Sequence, residues 1–193
     1  MTLYQVVADR PTGRLTPADV VAVIAGSLLL TLSAKVQVPF YPVPMTMQTL
    51  AVIGLGLALG PVRGAAAVAL YLAEGALGLP VFAGTPEKGI GLTYMMGPTG
   101  GYLLGYIFAA LLAGWLAERG WDRNVFTAMA VALIAGAVIY VPGLFWLGSV
   151  IAWDKPVLAL GLFPFIPGDI MKAVLAAVAF PAAWKWLSAK GMN

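Results

Sequence analysis

Asp169 and Lys172 stand three residues apart in FPFIPGDIMKAVLAAVAFPAAW (163–184), a stretch that otherwise reads as a membrane helix. Residues three apart on a helix share a face, so the carboxylate and the ammonium would be presented together. Two readings are open. Asp169 caps the first turn, helped by the helix dipole, while Lys172 snorkels to the headgroups. Alternatively, the pair faces a water-accessible cavity and offers one acceptor and one cation to a ligand. A charge inside a span costs about 2.5–3.5 kcal/mol on insertion scales, and less near the end. An apolar residue at 172 would serve a purely structural helix better, which weighs toward the ligand site.

Other polar groups stand in similarly apolar surroundings. Glu74 lies between Ala73 and Gly75, about one turn from the end of an apolar run. It either faces a cavity or pairs with a base on another helix such as Lys35. Thr46, Gln48 and Thr49 follow a proline-rich segment, where they could cap a helix or line a site. No covalent chemistry is expected from these groups. The chain has no cysteine and no histidine, which removes thiolates, disulfides and imidazole. None of its lysines is followed by Ser or Thr, so there is no P-loop. GPTGGYLLGY (97–106) lacks the strand and lysine of a phosphate-binding loop; its glycines read instead as close helix packing. With no nucleophile, base and orienter in view, an enzyme is not expected, nor is a cofactor or a metal.

The elements that must position these groups follow from composition. The 193 residues are 61% hydrophobic and 10% charged, with a net charge of +3 and no basic run. Soluble domains carry roughly 25% charged residues, so the expected partner is a lipid bilayer and not a nucleic acid. The fold class is all-α integral membrane, one domain over residues 1–193. Six apolar runs are predicted to be helices: 16–34, 45–59, 62–78, 99–116, 124–147 and 169–187. Continuous apolar runs speak against a β-barrel. Arg10 and Arg14 precede the first run as in a signal peptide, but Asp19 opens it and more spans follow, so cleavage is not expected. The segments VPFYPVPMTMQ (38–48) and 79–101 are long yet apolar, carrying Phe40, Tyr41, Phe82, Tyr94, Met95 and Met96. They are expected to fold over something as lids or cavity walls. Basic residues set the orientation. Arg10, Arg14, Arg63, Arg119, Arg123, Lys185 and Lys190 fall on one side, against Lys35, Lys88, Lys155 and Lys172 on the other. Both termini are therefore expected in the cytoplasm of a bacterial or archaeal cell. Ala18, Ala22 and Gly26 form a small-residue stripe on the first helix, either internal packing or a docking face for another membrane protein.

PVPMTMQTLAVIGLGLALGPVRGAAAVALYLAEGALGLPVF (42–82), GPTGGYLLGY (97–106) and PFIPGDIMK (164–172), in that order, resemble the BioY family over nearly the whole chain. Its members are the biotin-specific substrate-capture components of energy-coupling factor transporters. The resemblance implies a six-helix fold that takes biotin from outside and works with a transmembrane coupling protein and two cytoplasmic ATPase subunits. The isolated chain could be monomeric or a homo-oligomer. It also implies that Ala18, Ala22 and Gly26 meet the coupling protein, and that Asp169 and Lys172 belong to the pocket. The loop after PVF contributes too; where some members carry an asparagine there, this chain has Gly84. Biotin offers two ureido N–H donors, a carbonyl, an apolar bicycle and a carboxylate. Gln48, Glu74, Phe40, Tyr41, Phe82, Tyr94, Tyr102 and Met95 are the remaining candidates for its acceptors and walls. The competing readings are a component for another vitamin and a self-sufficient ion-driven transporter.

Overall fold

Thr16 and Pro17 open the first long helix as their types dictate. The Thr16 backbone N–H donates to Asp19 Oδ2 at 2.8 Å, and Pro17 takes the first turn, where a missing N–H costs nothing. In the computed structural model, residues 1–7 and 16–191 are described; Arg10 and Arg14 of the basic set lie outside them. A short α1 (Leu3–Val7) precedes α2 (Pro17–Lys35), followed by β1 (Gln37–Val38) and β2 (Met45–Thr46). Then come α3 (Gln48–Leu59), α4 (Pro61–Ala76), α5 (Gly91–Met95), α6 (Gly100–Ala117), α7 (Val125–Ile151), α8 (Val157–Gly161) and α9 (Ile166–Ala189).

The six longer helices match the six apolar runs, with three instructive differences. The second run was expected to be helical from Met45. Instead β2 pairs antiparallel with β1, Thr46 opposite Gln37, so the backbone of Met45–Thr46 is extended and α3 begins at Gln48. The pairing holds it there, and the Met47 N–H extends it by donating to the Val36 carbonyl at 3.0 Å. The last helix was expected from Asp169 behind a Pro-Gly break. It begins at Ile166, with Pro167 and Gly168 inside its first turn, where proline is tolerated. Finally, α7 runs past Leu147 to Ile151 and accommodates Pro142 within the helix. Asn124 caps its start as its type suggests, accepting from the Phe126 N–H at 2.8 Å.

Successive long helices run in alternating directions. Arg63 at the start of α4 holds Asp19 at the start of α2 (2.7 Å), and Trp184 late in α9 donates to Asp122 between α6 and α7 (2.6 Å). Val6, Trp184 and Leu187 cluster at that same end, so both described ends of the chain lie there. The starts of α3, α6 and α9 and the ends of α2, α4 and α7 gather at the opposite end. The described members of the two basic sets divide in the same way, with Lys35, Lys88 and Lys155 away from the termini.

Four helices among the described residues are long and apolar enough to cross a membrane: α2, α6, α7 and α9. Their outer faces are apolar and exposed, as in Val21, Leu28 and Leu32 of α2 and Val174, Leu175 and Val178 of α9. A helix apolar all round suits a lipid surround. Inside, small residues let backbones close. A Cβ on Gly101 would sit 2.3 Å from the Pro142 carbonyl oxygen, so α6 meets α7 at a distance that only glycine permits. Gly56 of α3 does the same against Ala110 of α6, with 2.5 Å to its carbonyl oxygen.

Candidate functional site

The end away from the termini holds a cavity of about 50 Å³. That is room for a few waters, so the walls stand close together in this structure. Its wall is contributed piece by piece. The Pro44 segment and the start of α3 bring Met45, Thr46, Gln48 and Thr49. The loop after α4 brings Ala83, and α5 brings Tyr94. From α6 come Tyr102 and Tyr106, from α7 Ile139 and Tyr140, and from the start of α9 Phe165, Asp169 and Lys172.

Asp169 and Lys172 do share a face, and that face looks inward. Lys172 Nζ lies 3.2 Å from Asp169 Oδ1 and donates to Thr49 Oγ1 at 2.9 Å, bridging α9 to α3. The Tyr140 hydroxyl donates to the other Asp169 oxygen from α7. Lys172 is buried, at 8% exposure. An ammonium has three donors, and two are assigned here, so one is left for a ligand. The Asp169 side chain caps nothing in this arrangement. It balances the buried cation.

Next to Thr49, Gln48 Nε2 donates to the Tyr71 hydroxyl at 2.6 Å, while its Oε1 accepts from Thr46 Oγ1 at 3.2 Å. These bonds fix the amide at the cavity edge. Tyr102 lines the cavity with its ring, and its hydroxyl donates to the Gly161 carbonyl of α8 at 2.9 Å. Tyr94 is stacked on Phe82, with centroids 4.9 Å apart.

Of the residues singled out from sequence, Asp169, Lys172, Thr46, Gln48, Thr49, Tyr94 and Tyr102 line this cavity together. Phe82 does not line it; the ring is fully buried behind Tyr94. Gly84 lies next to cavity-lining Ala83 at φ +72°, a left-handed conformation that glycine adopts freely and asparagine tolerates. Phe40 reaches the site indirectly, edge-on to Phe165 at 6.1 Å. Tyr41 is 91% exposed and points away. Met95 packs on the core rather than on the cavity.

Glu74 stands apart from the cavity. It accepts from the Ser27 hydroxyl of α2, whereas Lys35, its expected partner, turns to the loop after α4. The stripe on α2 also turns inward. Gly26 is buried, and a Cβ there would meet the Ala67 methyl of α4 at 2.7 Å. Ala22 packs on the core, so both serve internal packing in this structure, and Ala18 keeps partial exposure.

Tyr140, Tyr106, Thr99 and Phe165 also line the cavity and were not picked out from the sequence. The available signal for Tyr140 was a hydroxyl in the middle of an apolar run. Among the described residues no three His, Cys, Asp or Glu side chains gather as a metal site. What the cavity offers is recognition: a carboxylate, a buried ammonium, hydroxyl and amide groups, and aromatic walls.

Fold and site together define a multi-pass helical membrane protein with a cavity of polar groups and aromatic walls near one end. The BioY family model matches residues 9–189, and the chain belongs to that family. It is 38% identical over 150 residues to the probable biotin transporter BioY of Pyrococcus horikoshii, covering 78% of this chain and 86% of that one. The biotin transporter BioY of Thermotoga maritima gives the same identity and coverage. The solved structure of the S-component for biotin from an ECF-type ABC transporter superposes with a TM-score of 0.74 at 25% identity. That match covers 89% of this chain and 95% of that one.

Proposed function

We propose that this chain captures biotin as the membrane-embedded S component of an energy-coupling factor transporter, binding and reorienting the vitamin without altering it covalently. The observation that carries the reading is the Asp169–Lys172 pair, its ammonium buried and its carboxylate little exposed, in an aromatic-walled cavity of a chain whose relatives are named as biotin transporters. The carboxylate suits the ureido N–H groups, and the free Lys172 donor suits a carboxylate or carbonyl.

All six long helices cross the membrane in this reading. At 12 residues α3 rises about 18 Å, less than a hydrocarbon core of about 30 Å. The extended β2 adds about 7 Å to that rise, and non-helical backbone is tolerated at that depth where protein surrounds it. The basic-residue bias places both termini in the cytoplasm and the cavity outside. An impermeant thiol reagent on intact cells should label Lys88→Cys and not Arg119→Cys; the reverse pattern would invert the topology.

A transmembrane coupling protein and two ATPase subunits complete the transporter. The coupling protein meets α2 near Ala18, while Ala22 and Gly26 let α2 lie close to α4. Labelled biotin uptake, measured with and without those subunits, tests the assignment. Accumulation that needs ATP hydrolysis supports it. Accumulation by the chain alone that collapses with the ion gradient would make it a secondary transporter instead.

A further inference from the structure

Lys35 closes α2, and its ammonium reaches out to a single loop. It donates to the Pro80 carbonyl at 2.7 Å, to the Phe82 carbonyl at 3.0 Å and to Thr85 Oγ1 at 3.1 Å. That uses every donor an ammonium has. No carboxylate pairs with it among the described residues. The loop it grips contains no helix or strand between Leu77 and Ile90, and it supplies Ala83 to the cavity wall.

The wall is thus held from two sides. From within, the Phe82 ring is fully buried, edge-on to Tyr71 at 5.4 Å and stacked on Tyr94, itself a wall residue. From outside, Lys35 fixes the carbonyls on either side of Val81 and the Thr85 hydroxyl. The inner anchor is deep and apolar. The outer one is exposed and polar, so it is the one that water can compete with and release.

We propose that Lys35 is a positioning residue that latches the Pro80–Thr85 wall over the occupied cavity and so sets how fast the ligand leaves. It acts through the loop and touches no ligand itself. This inference rests on the reading of the cavity as the biotin site.

The test compares wild type, Lys35→Met, Lys35→Arg and Thr85→Val as purified full chains, following biotin association and dissociation rates and hydrogen exchange of residues 79–88. Lys35→Met should raise the dissociation rate roughly 3- to 10-fold, the worth of a few partly exposed charged hydrogen bonds, and should speed exchange in the loop. The association rate should not fall. Lys35→Arg, which keeps charge and donors, should stay within about twofold of wild type. Thr85→Val should lie between wild type and Lys35→Met. A Lys35→Met dissociation rate equal to wild type overturns the latch. So does a smaller binding-competent fraction with unchanged rates, which would mark Lys35 as an ordinary stabiliser. If wild type itself binds no biotin, the biotin reading fails. Loop exchange unchanged in Lys35→Met would then overturn the latch on its own.

Discussion

The Tyr140 hydroxyl of α7 donates to Asp169 Oδ2 of α9, while Asp169 Oδ1 faces the Lys172 ammonium at 3.2 Å. One carboxylate therefore holds both a neutral donor from a facing helix and a cation from its own. The Tyr140 bond aims the carboxylate into the cavity. Tyr140→Phe keeps the ring and removes that aim. A hydrogen bond to an ionised carboxylate is worth about 1.5–3 kcal/mol, which caps the fall in biotin affinity at roughly 10- to 150-fold with the fold intact. Equilibrium binding, with circular dichroism as the control for folding, measures it. Unchanged affinity would mean that the carboxylate needs no orienting.

Lys172→Met keeps the aliphatic stem and loses the charge. Asp169 then stands largely buried without its cation, so the thermal midpoint should fall, and a melting curve in detergent checks that the variant stays folded. Biotin and biotin amide bound to this variant separate two arrangements. If Lys172 meets the carboxylate, affinity for biotin should drop about 10- to 150-fold while that for the amide changes far less. Equal losses would place the ammonium at the ureido end.

The long apolar runs and their Pro/Gly punctuation made the helices legible in the sequence, because a bilayer leaves few backbone solutions. The Asp169–Lys172 pair was legible for the related reason that charge inside a span is costly. What faces that pair was not. Thr49 is 123 residues from Lys172, and only the packing of α3 against α9 brings them together. Glu74 and Lys35 looked like partners because both are charged and near one end. Ser27 lies closer on the α2 face that meets α4, and Lys35 satisfies loop carbonyls instead. The inward turn of Gly26 was open for a similar reason: a small-residue stripe states that something approaches closely, not what.

Gly101 tests the α6–α7 contact that places Tyr102 beside Tyr140. A methyl group there would stand 2.3 Å from both the Pro142 carbonyl oxygen and the Trp146 Cβ. Gly101→Ala should cost about 1–3 kcal/mol as overpacking and lower the thermal midpoint in detergent. Because the shift displaces Tyr102, ligand affinity should fall as well. An unchanged midpoint would mean that the two helices part without cost.

Asp122 lies outside the spans, between α6 and α7. Its carboxyl is fully buried, with Oδ2 accepting from Trp184 Nε1 and Oδ1 without a partner among the described residues. Burial pushes its pKa above the usual carboxylate range, opposed by the Trp184 bond and by nearby Arg123. A raised folded-state pKa favours the protonated form, so the contribution to stability is present at low pH and lost as pH rises through that value. Asp122→Asn keeps an acceptor for Trp184 and removes the charge. It should raise the thermal midpoint at neutral pH, and the gain should shrink as the pH is lowered. A gain that does not vary with pH would remove the titration from the explanation.

The most direct measurement is a calorimetric titration of biotin into the purified chain and into its Asp169→Asn variant. The expected result is saturable one-site binding to the wild type, weakened roughly 10- to 150-fold in the variant, which keeps the shape of the side chain and loses the charge that balances Lys172. Absence of saturable biotin binding to a folded wild-type chain would contradict the assigned ligand. Equal binding by both proteins would contradict the assigned site.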